Sequence, residues 1–433
     1  MSRCTPKIYY QNFATFQRLP FAGSAGRPRG SDHVTRSYTS SEEETDSDVR
    51  AHSEAKIVAP GSADRYGRTS PNNDKKHLYV VLDDWEKGFS IHKLDLHGYR
   101  PDGGDLTLQA PVHRQAIEED RLQWNFAAMG SKIVAAGKVK SMQDAVTLVY
   151  DTDTAGLSIV PRLPSELSGG WCPYLTTATE NRIYTMGGPW NGCIHQFEDA
   201  PATANDEACW PGTRDHWSWS SIPTQPPFQA EGIVSSAVHP VGGGRTLFVS
   251  VHKSYTIDVD NRSNPAPQTF SLDWGTGEWR SHGKWDLPFL GASHYDEELD
   301  AWVGLHNSSE PYGADGYLCS CDVVSPNGNP VEPAPKLSAD RLFVPPMDDK
   351  DPSLVYMGDS NYCLVELVPR DSFTGWLCAL VGNECEIHVT TFRLKYGKTG
   401  DLTITDRKPK RTYLFPSFYE SAYGFCTVPA FWM

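Results

Sequence analysis

One short passage recurs six times along the chain: HLYVVLD at 77–83, KIVAAG at 132–137, RIYTMGG at 182–188, RTLFVSV at 245–251, DAWVGL at 300–305 and NYCLVEL at 361–367. Successive copies start 55, 50, 63, 55 and 61 residues apart. A period near 50 residues built from strands is the signature of a β-propeller with one four-stranded sheet per blade. The expectation is therefore an all-β, six-bladed, kelch-like propeller over residues 77–433, preceded by a disordered tail over residues 1–76. A propeller grows by adding blades around an axis, so 433 residues need not mean several domains.

The units agree in their internal order of strand, tight turn, strand, longer connection and hairpin. In the second unit the strands read 126–129, 132–137, 147–150 and 157–160, with turns at Gly130-Ser131 and Asp151-Thr152-Asp153. The fourth reads 235–239, 246–251, 269–273 and 278–281, and the sixth 354–357, 362–367, 388–395 and 402–405. Gly, Asp and Asn at these turns accept positive φ at low cost. The first unit opens directly on its second strand and continues over 90–96 and 105–109. Its missing innermost strand is expected from residues 421–428, because a closed ring leaves no sheet edge exposed. The apolar end 428–433 then packs against the ring.

Charge separates the two parts. Residues 1–76 hold twelve Lys+Arg against nine Asp+Glu, so the −15 of the whole chain leaves −18 on residues 77–433. An acidic repeat region argues against nucleic acid or an anionic membrane as the main partner, and for a protein with a basic contact surface. No run of about 18 apolar residues is present, so no transmembrane helix is expected. A monomer is expected. The tail is rich in Ser, Arg, Gly and Pro without apolar periodicity. Ser40, Ser41 and Thr45 precede a run of acids and suit an acid-directed kinase; a solvated acidic run is the plainer alternative. Residues 1–40 carry six bases and one acid. This fits an ordinary basic tail on a cytoplasmic or nuclear protein, or alternatively an organelle-import segment. The ten cysteines follow no secretory leader and read as reduced thiols.

Gly187-Gly188 at the end of a strand, with Trp217 and Trp219 one strand later, is similar to a kelch repeat. A wider resemblance rests on Leu299-Asp300-Ala301-Trp302-Val303-Gly304-Leu305, Gly316-Tyr317-Leu318-Cys319-Ser320-Cys321-Asp322 and Tyr423-Gly424-Phe425-Cys426-Thr427-Val428. These phrases resemble a plant family, expanded in grasses, of uncharacterised kelch-like proteins classed as a domain of unknown function. The resemblance implies a propeller and a plant source, and carries over no catalytic residue.

Motifs for chemistry are sparse. Ser271-Leu272-Asp273-Trp274-Gly275-Thr276-Gly277-Glu278-Trp279 nearly matches the Asp-box of sialidase propellers, has no second copy in the sequence and reads as a hairpin turn. Cys319 and Cys321 share a strand face, and Cys385 with His388 could complete a metal site, but ordinary packing inside a blade is the stronger reading and no metal is expected. A radical copper oxidase also uses a kelch-type propeller, yet no local signature links the tyrosines and histidines here. No hydrolase, metalloprotease, P-loop or Rossmann fingerprint occurs, so no catalytic residue and no cofactor are assigned. The connection 188–213 of the third unit gathers Trp190, Trp210, Asp199, Asp206 and Glu207, with Trp217 and Trp219 just beyond. Long loops on a rigid scaffold collect binding residues. The sequence thus points to a non-catalytic recognition module acting through propeller-face loops. The alternative is a carbohydrate-acting enzyme or lectin using the central depression.

Overall fold

The recurring passages are the second strands of six blades. The computed structural model describes residues 76–85, 88–97, 106–116, 123–138, 146–161, 164, 167, 174–179, 182–187, 193–200, 216–228, 230–241, 245–252, 267–309, 312–328, 331–343, 352–369, 385–414 and 428–433. Blade 2 is Gln123–Met129, Lys132–Lys138, Val146–Asp151 and Gly156–Val160; blade 3 is Tyr174–Thr179, Arg182–Gly187, Cys193–Ala200 and His216–Ile222. Blade 4 is Ile233–Val238, Thr246–Val251, Gln268–Asp273 and Glu278–Gly283, with the two-residue Gly291–Ala292 added parallel to its first strand; blade 5 is His294–Asp296, Ala301–Ser309, Tyr312–Asp322 and Lys336–Leu337. Blade 6 is Ser353–Gly358, Asn361–Pro369 and the long Cys385–Tyr396, whose outer side pairs with two short strands, Leu402–Thr405 and Arg411–Leu414. Among the described residues no helix is long and apolar enough to cross a membrane.

Blade 1 departs from the expectation in two places. Its strands are Leu78–Trp85, Gly88–Leu94 and His113–Ala116, and its inner strand is Ala430–Trp432, which pairs antiparallel with Leu78–Val80. The chain's end therefore closes the ring, but with a later segment than 421–428, of which 421–427 lies outside the described residues. The Met433 amide donates to the His77 carbonyl at 3.0 Å, and the Val81 amide to that of Pro429 at 2.9 Å. The expected outer strand at 105–109 does not join blade 1. Leu106–Thr107 pairs in parallel with Arg411–Leu414 of blade 6 instead. The reason is burial: Leu108 enters the apolar cluster between blades 6 and 1, while the blade 1 edge goes to His113–Ala116, where exposed and half-buried residues alternate.

Both faces of a blade are buried, which is why the second strands are continuously apolar. Leu78, Val80 and Leu82 face blade 6, whereas Tyr79 and Val81 face blade 2. An apolar cluster fills each gap between neighbours. Across the gap between blades 3 and 4, Tyr184 and Trp274 stack with ring centroids 3.7 Å apart. Between blades 4 and 5, Trp302 is fully buried and donates Nε1–H to the Val238 carbonyl at 2.9 Å. The glycine closing KIVAAG has a packing cause: Gly137 is paired with Trp124, and a Cβ there would lie 2.6 Å from the indole.

Strands 1 and 3 of a blade run one way, 2 and 4 the other. The 1–2 and 3–4 connections therefore share one end, the turn-bearing end, and the 2–3 connections leave the opposite end.

Candidate functional site

Antiparallel register places a base at the start of a second strand opposite an acid at the end of the third. Lys132 and Asp151 are register partners 4.0 Å apart in blade 2, and Arg182 lies 3.1 Å from Glu198 in blade 3. In blade 4 Arg245 reaches Asp273 at 3.5 Å. The last two blades rewire this pattern. Asp322 takes Lys336 of its own blade at 3.0 Å, and Arg393 of blade 6 crosses the gap to Glu298 of blade 5 at 2.7 Å. All five pairs sit at the turn-bearing end.

The crossing pair lies over a buried polar joint. In the blade 5 turn, Asp296 Oδ1 accepts the amides of Glu298 and Leu299 at 3.1 and 3.2 Å, and Asp300 closes the turn at φ 46°. The same carboxylate holds blade 6: Oδ1 accepts Ser360 Oγ–H at 2.8 Å and Oδ2 accepts the Tyr362 hydroxyl at 2.9 Å. Asp296, Ser360 and Tyr362 are all fully buried. Asp359 and Ser360 both have positive φ, 51° and 54°, in a two-residue turn that ordinarily takes Asn-Gly. The bond from Ser360 to Asp296 offsets part of that strain. Burial, then the nearby Asp296, pushes the Tyr362 phenol up, so it remains a donor.

Above this joint opens a cavity of about 420 Å³ lined by Glu298, Leu299, Arg393, Tyr396, Thr405 and Asp406, with Lys395 at its side. Arg393, then Ser360, holds the Glu298 carboxyl below its usual range. The cavity thus presents fixed charge of both signs beside an aromatic ring.

Two other constellations suit structure better. Ser271 Oγ and His282 Nε2 are 2.8 Å apart, a nucleophile–base spacing, but both are buried between blades 4 and 5, and substrate has no access. Ser250 and Thr269 continue this ladder, bonding each other at 2.8 Å and fixing the backbone of Leu287 and Trp285. In blade 6, His388 bridges Glu386 at 2.7 Å and Lys410 at 3.1 Å. Its register partner Glu366 is pushed up by burial.

The third-unit residues fall in separate places. The span expected as one long connection contains the strand Cys193–Ala200, and Asp199 lies on it, in register with Trp217. Trp217 is buried and stacks on Phe197 at 5.1 Å; Trp219 is half-buried, lies 4.7 Å from the same ring and donates Nε1–H to the Pro161 carbonyl at 3.2 Å. These two indoles fill the gap between blades 2 and 3. Trp190, Trp210, Asp206 and Glu207 lie outside the described residues, as do Ser40, Ser41 and Thr45. The chain carrying Trp190 leaves from the Gly187↔Cys193 pair, and the chain carrying Asp206, Glu207 and Trp210 from the Ala200↔His216 pair. Those pairs are at opposite ends of the strand.

Cys319 and Cys321 point together as expected, into the cluster of Phe248, Phe289 and Trp302; burial raises both thiols, Cys321 to about 12. Cys385 and His388, three apart on a strand, face opposite ways. Among the described residues no group of three or more His, Cys, Asp or Glu is placed to hold a metal ion. The near Asp-box is a hairpin turn as expected: Asp273 Oδ1 accepts the amides of Gly275 and Thr276 at 2.7 and 3.1 Å. It does have a second copy in geometry, because Asp151 Oδ1 accepts those of Asp153 and Thr154 at 2.9 and 3.3 Å. The Asp296 joint escaped sequence reasoning. Its one local sign is the acid-rich turn Asp296-Glu297-Glu298-Leu299-Asp300, and its partners lie 64 and 66 residues onward.

Residues 75–413 match the family described as "Protein of unknown function (DUF1668)". The chain belongs to that family. No curated protein matches the sequence. Among solved structures it is similar to TolB from Acinetobacter baumannii at 10% identity and TM-score 0.40, over 82% of this chain and 66% of that one. The chain therefore spans just under two thirds of that TolB. It is also similar to a chain of a nidogen/laminin complex at 10% identity and TM-score 0.38, over 79% of this chain and 98% of that one. A functionally unknown protein from Desulfotomaculum acetoxidans DSM 771 matches at 12% identity and TM-score 0.38, over 76% and 79%. Likenesses this distant carry nothing about function.

Proposed function

We propose that this family member is a recognition module whose turn-bearing end, centred on the cleft between blades 5 and 6, engages a protein with a basic contact surface. One observation carries the reading. At this end Lys132, Arg182, Arg245, Lys336 and Arg393 are drawn into ion pairs, and the exposed bases Lys395 and Lys398 are outnumbered by Asp153, Glu297, Asp300, Asp359, Asp401 and Asp406, which face solvent. The cleft cavity gives the acids a shaped centre, with Lys395 at its side to fix the orientation of a bound chain. The connection bearing Asp206, Glu207 and Trp210 leaves the same end, so Trp210 suits an anchor here better than Trp190. Acids of this kind steer encounter and set salt dependence, while an aromatic anchor holds the complex.

The test presents the full chain with arrays of basic, neutral and acidic peptides, and with glycans, at two salt concentrations. Selective binding to basic peptides that weakens with salt, and that is lost when Asp300, Asp359 and Asp406 are changed together to Asn, supports the reading. Indifference to peptide charge overturns it. Binding to glycans alone replaces it with a carbohydrate-binding role.

A further inference from the structure

The outer edges of the blades are guarded unequally. Blade 1 ends on His113–Ala116 with Arg114, blade 4 on Glu278–Gly283 with Glu278 and Arg280, and blade 5 on the two-residue Lys336–Leu337; blade 3 ends on His216–Ile222, which holds no Lys, Arg, Asp or Glu but sets serines at its exposed positions 220 and 221. Blade 6 has its edge strand Arg411–Leu414 covered by Leu106–Thr107. Blade 2 ends on Gly156–Val160, sequence Gly-Leu-Ser-Ile-Val, which carries no charge and is the last strand of its sheet among the described residues. Leu157 is 39% exposed and Ile159 80%, the highest exposure among the described large apolar side chains. They are in register with Tyr150 and Leu148, hence on one face of the sheet. An uncharged edge strand with apolar residues standing in water is what proteins normally avoid, because it templates pairing with another strand.

We propose that this edge is a self-association surface, at which Gly156–Val160 of two copies pair antiparallel about a two-fold axis through Ser158. The strand is self-complementary in that register. Leu157 of one copy stands opposite Ile159 of the other, on the same face and twice over, as an isologous contact requires. Two molecules of net charge −15 would thus meet at a strand without charge of its own. The dimer so formed joins two four-stranded blades into one eight-stranded sheet and replaces the monomer expected from sequence.

Sedimentation equilibrium of the full chain across a concentration series tests this. The expected result is a monomer–dimer equilibrium whose dissociation constant rises about ten-fold or more in Ile159→Lys, with an unchanged thermal midpoint because the side chain is exposed. Ser158→Cys, which places the new thiol at the two-fold axis, should give a disulfide-linked dimer on oxidation, whereas the exposed Ser281→Cys of blade 4 should not. A wild-type chain that stays monomeric overturns the proposal, as does a dimer indifferent to Ile159→Lys. A wild-type monomer that instead takes up extended apolar peptides at this strand also overturns it, since the edge would then serve a different partner.

Discussion

Blade 4 and blade 1 complete the same four-stranded sheet by different means. Blade 4 draws its four main strands from one stretch, Ile233–Gly283, each paired with the next in sequence, and adds only the two-residue Gly291–Ala292, parallel to its first strand. Blade 1 takes three strands from the beginning of the repeat region and the fourth from Ala430–Trp432, a three-residue strand that meets Leu78–Val80 across the whole propeller. The first is held by local connections. The second waits on a contact that forms only when the ring closes. A short strand can carry so much because the alternative is an open ring, with a second-strand edge and its apolar faces in water.

Breaking the closure should have the largest effect. Removing residues 428–433 takes away Val428, buried in the cluster between blades 6 and 1, together with Ala430 and Trp432 packed against it. Each buried apolar side chain contributes about 1.5–3 kcal/mol, and the inner edge of blade 1 also loses its partner. Loss of cooperative thermal unfolding or of solubility is the expected outcome; a truncated chain that unfolds at an unchanged midpoint would show that the closing strand is dispensable.

The contiguous blade should be damaged less by a change at its own wall. Trp302→Ala empties a fully buried site against Phe248 and Ala237 of blade 4 and removes the bond to Val238. A cost of about 3–5 kcal/mol is expected, read from the denaturant midpoint, with a cooperative transition retained. A loss of cooperativity would mean that blade 4 also depends on the whole ring.

The joint between blades 5 and 6 is intermediate between these two cases, since it links successive blades by polar groups. Tyr362→Phe removes one donor to Asp296 and should cost about 0.5–1.5 kcal/mol. Asp296→Ala orphans Ser360, the Tyr362 hydroxyl and two turn amides together, and should cost clearly more than Tyr362→Phe in the same titration.

The smallest effect expected is on pH dependence. Burial lowers the pKa of His239, His282 and His294 below the usual 6.5. The unfolded chain therefore takes up these protons first, so stability is full above about pH 6.5 and declines as the pH falls through and below it. Denaturant midpoints between pH 8 and pH 5 should show the decline, and His282→Gln should flatten it. Glu366 has the opposite sign: burial raises its pKa, so ionisation at neutral pH works against folding, and Glu366→Gln should raise the midpoint slightly at pH 7 while leaving it unchanged at pH 4.

By itself the sequence determined the number of blades, the second strands and most of the tight turns. These are local properties. Apolar passages buried on both faces, and Asp or Gly at turns such as Asp273–Gly277, are dictated by residues a few positions apart. The tertiary structure alone decided everything that depended on where a segment finds its partner. Leu106–Thr107 and His113–Ala116 were both available as the edge of blade 1, and burial of Leu108 beside blade 6 assigned them. The apparent loop at 188–213 became two connections because Cys193–Ala200 pairs with strands on both sides. Asp296 gained its role from Ser360 and Tyr362, and Arg393 from Glu298, across a gap that no local pattern announces. Strand propensity acts along the chain, whereas the choice of neighbour is made by burial and register once the ring has formed.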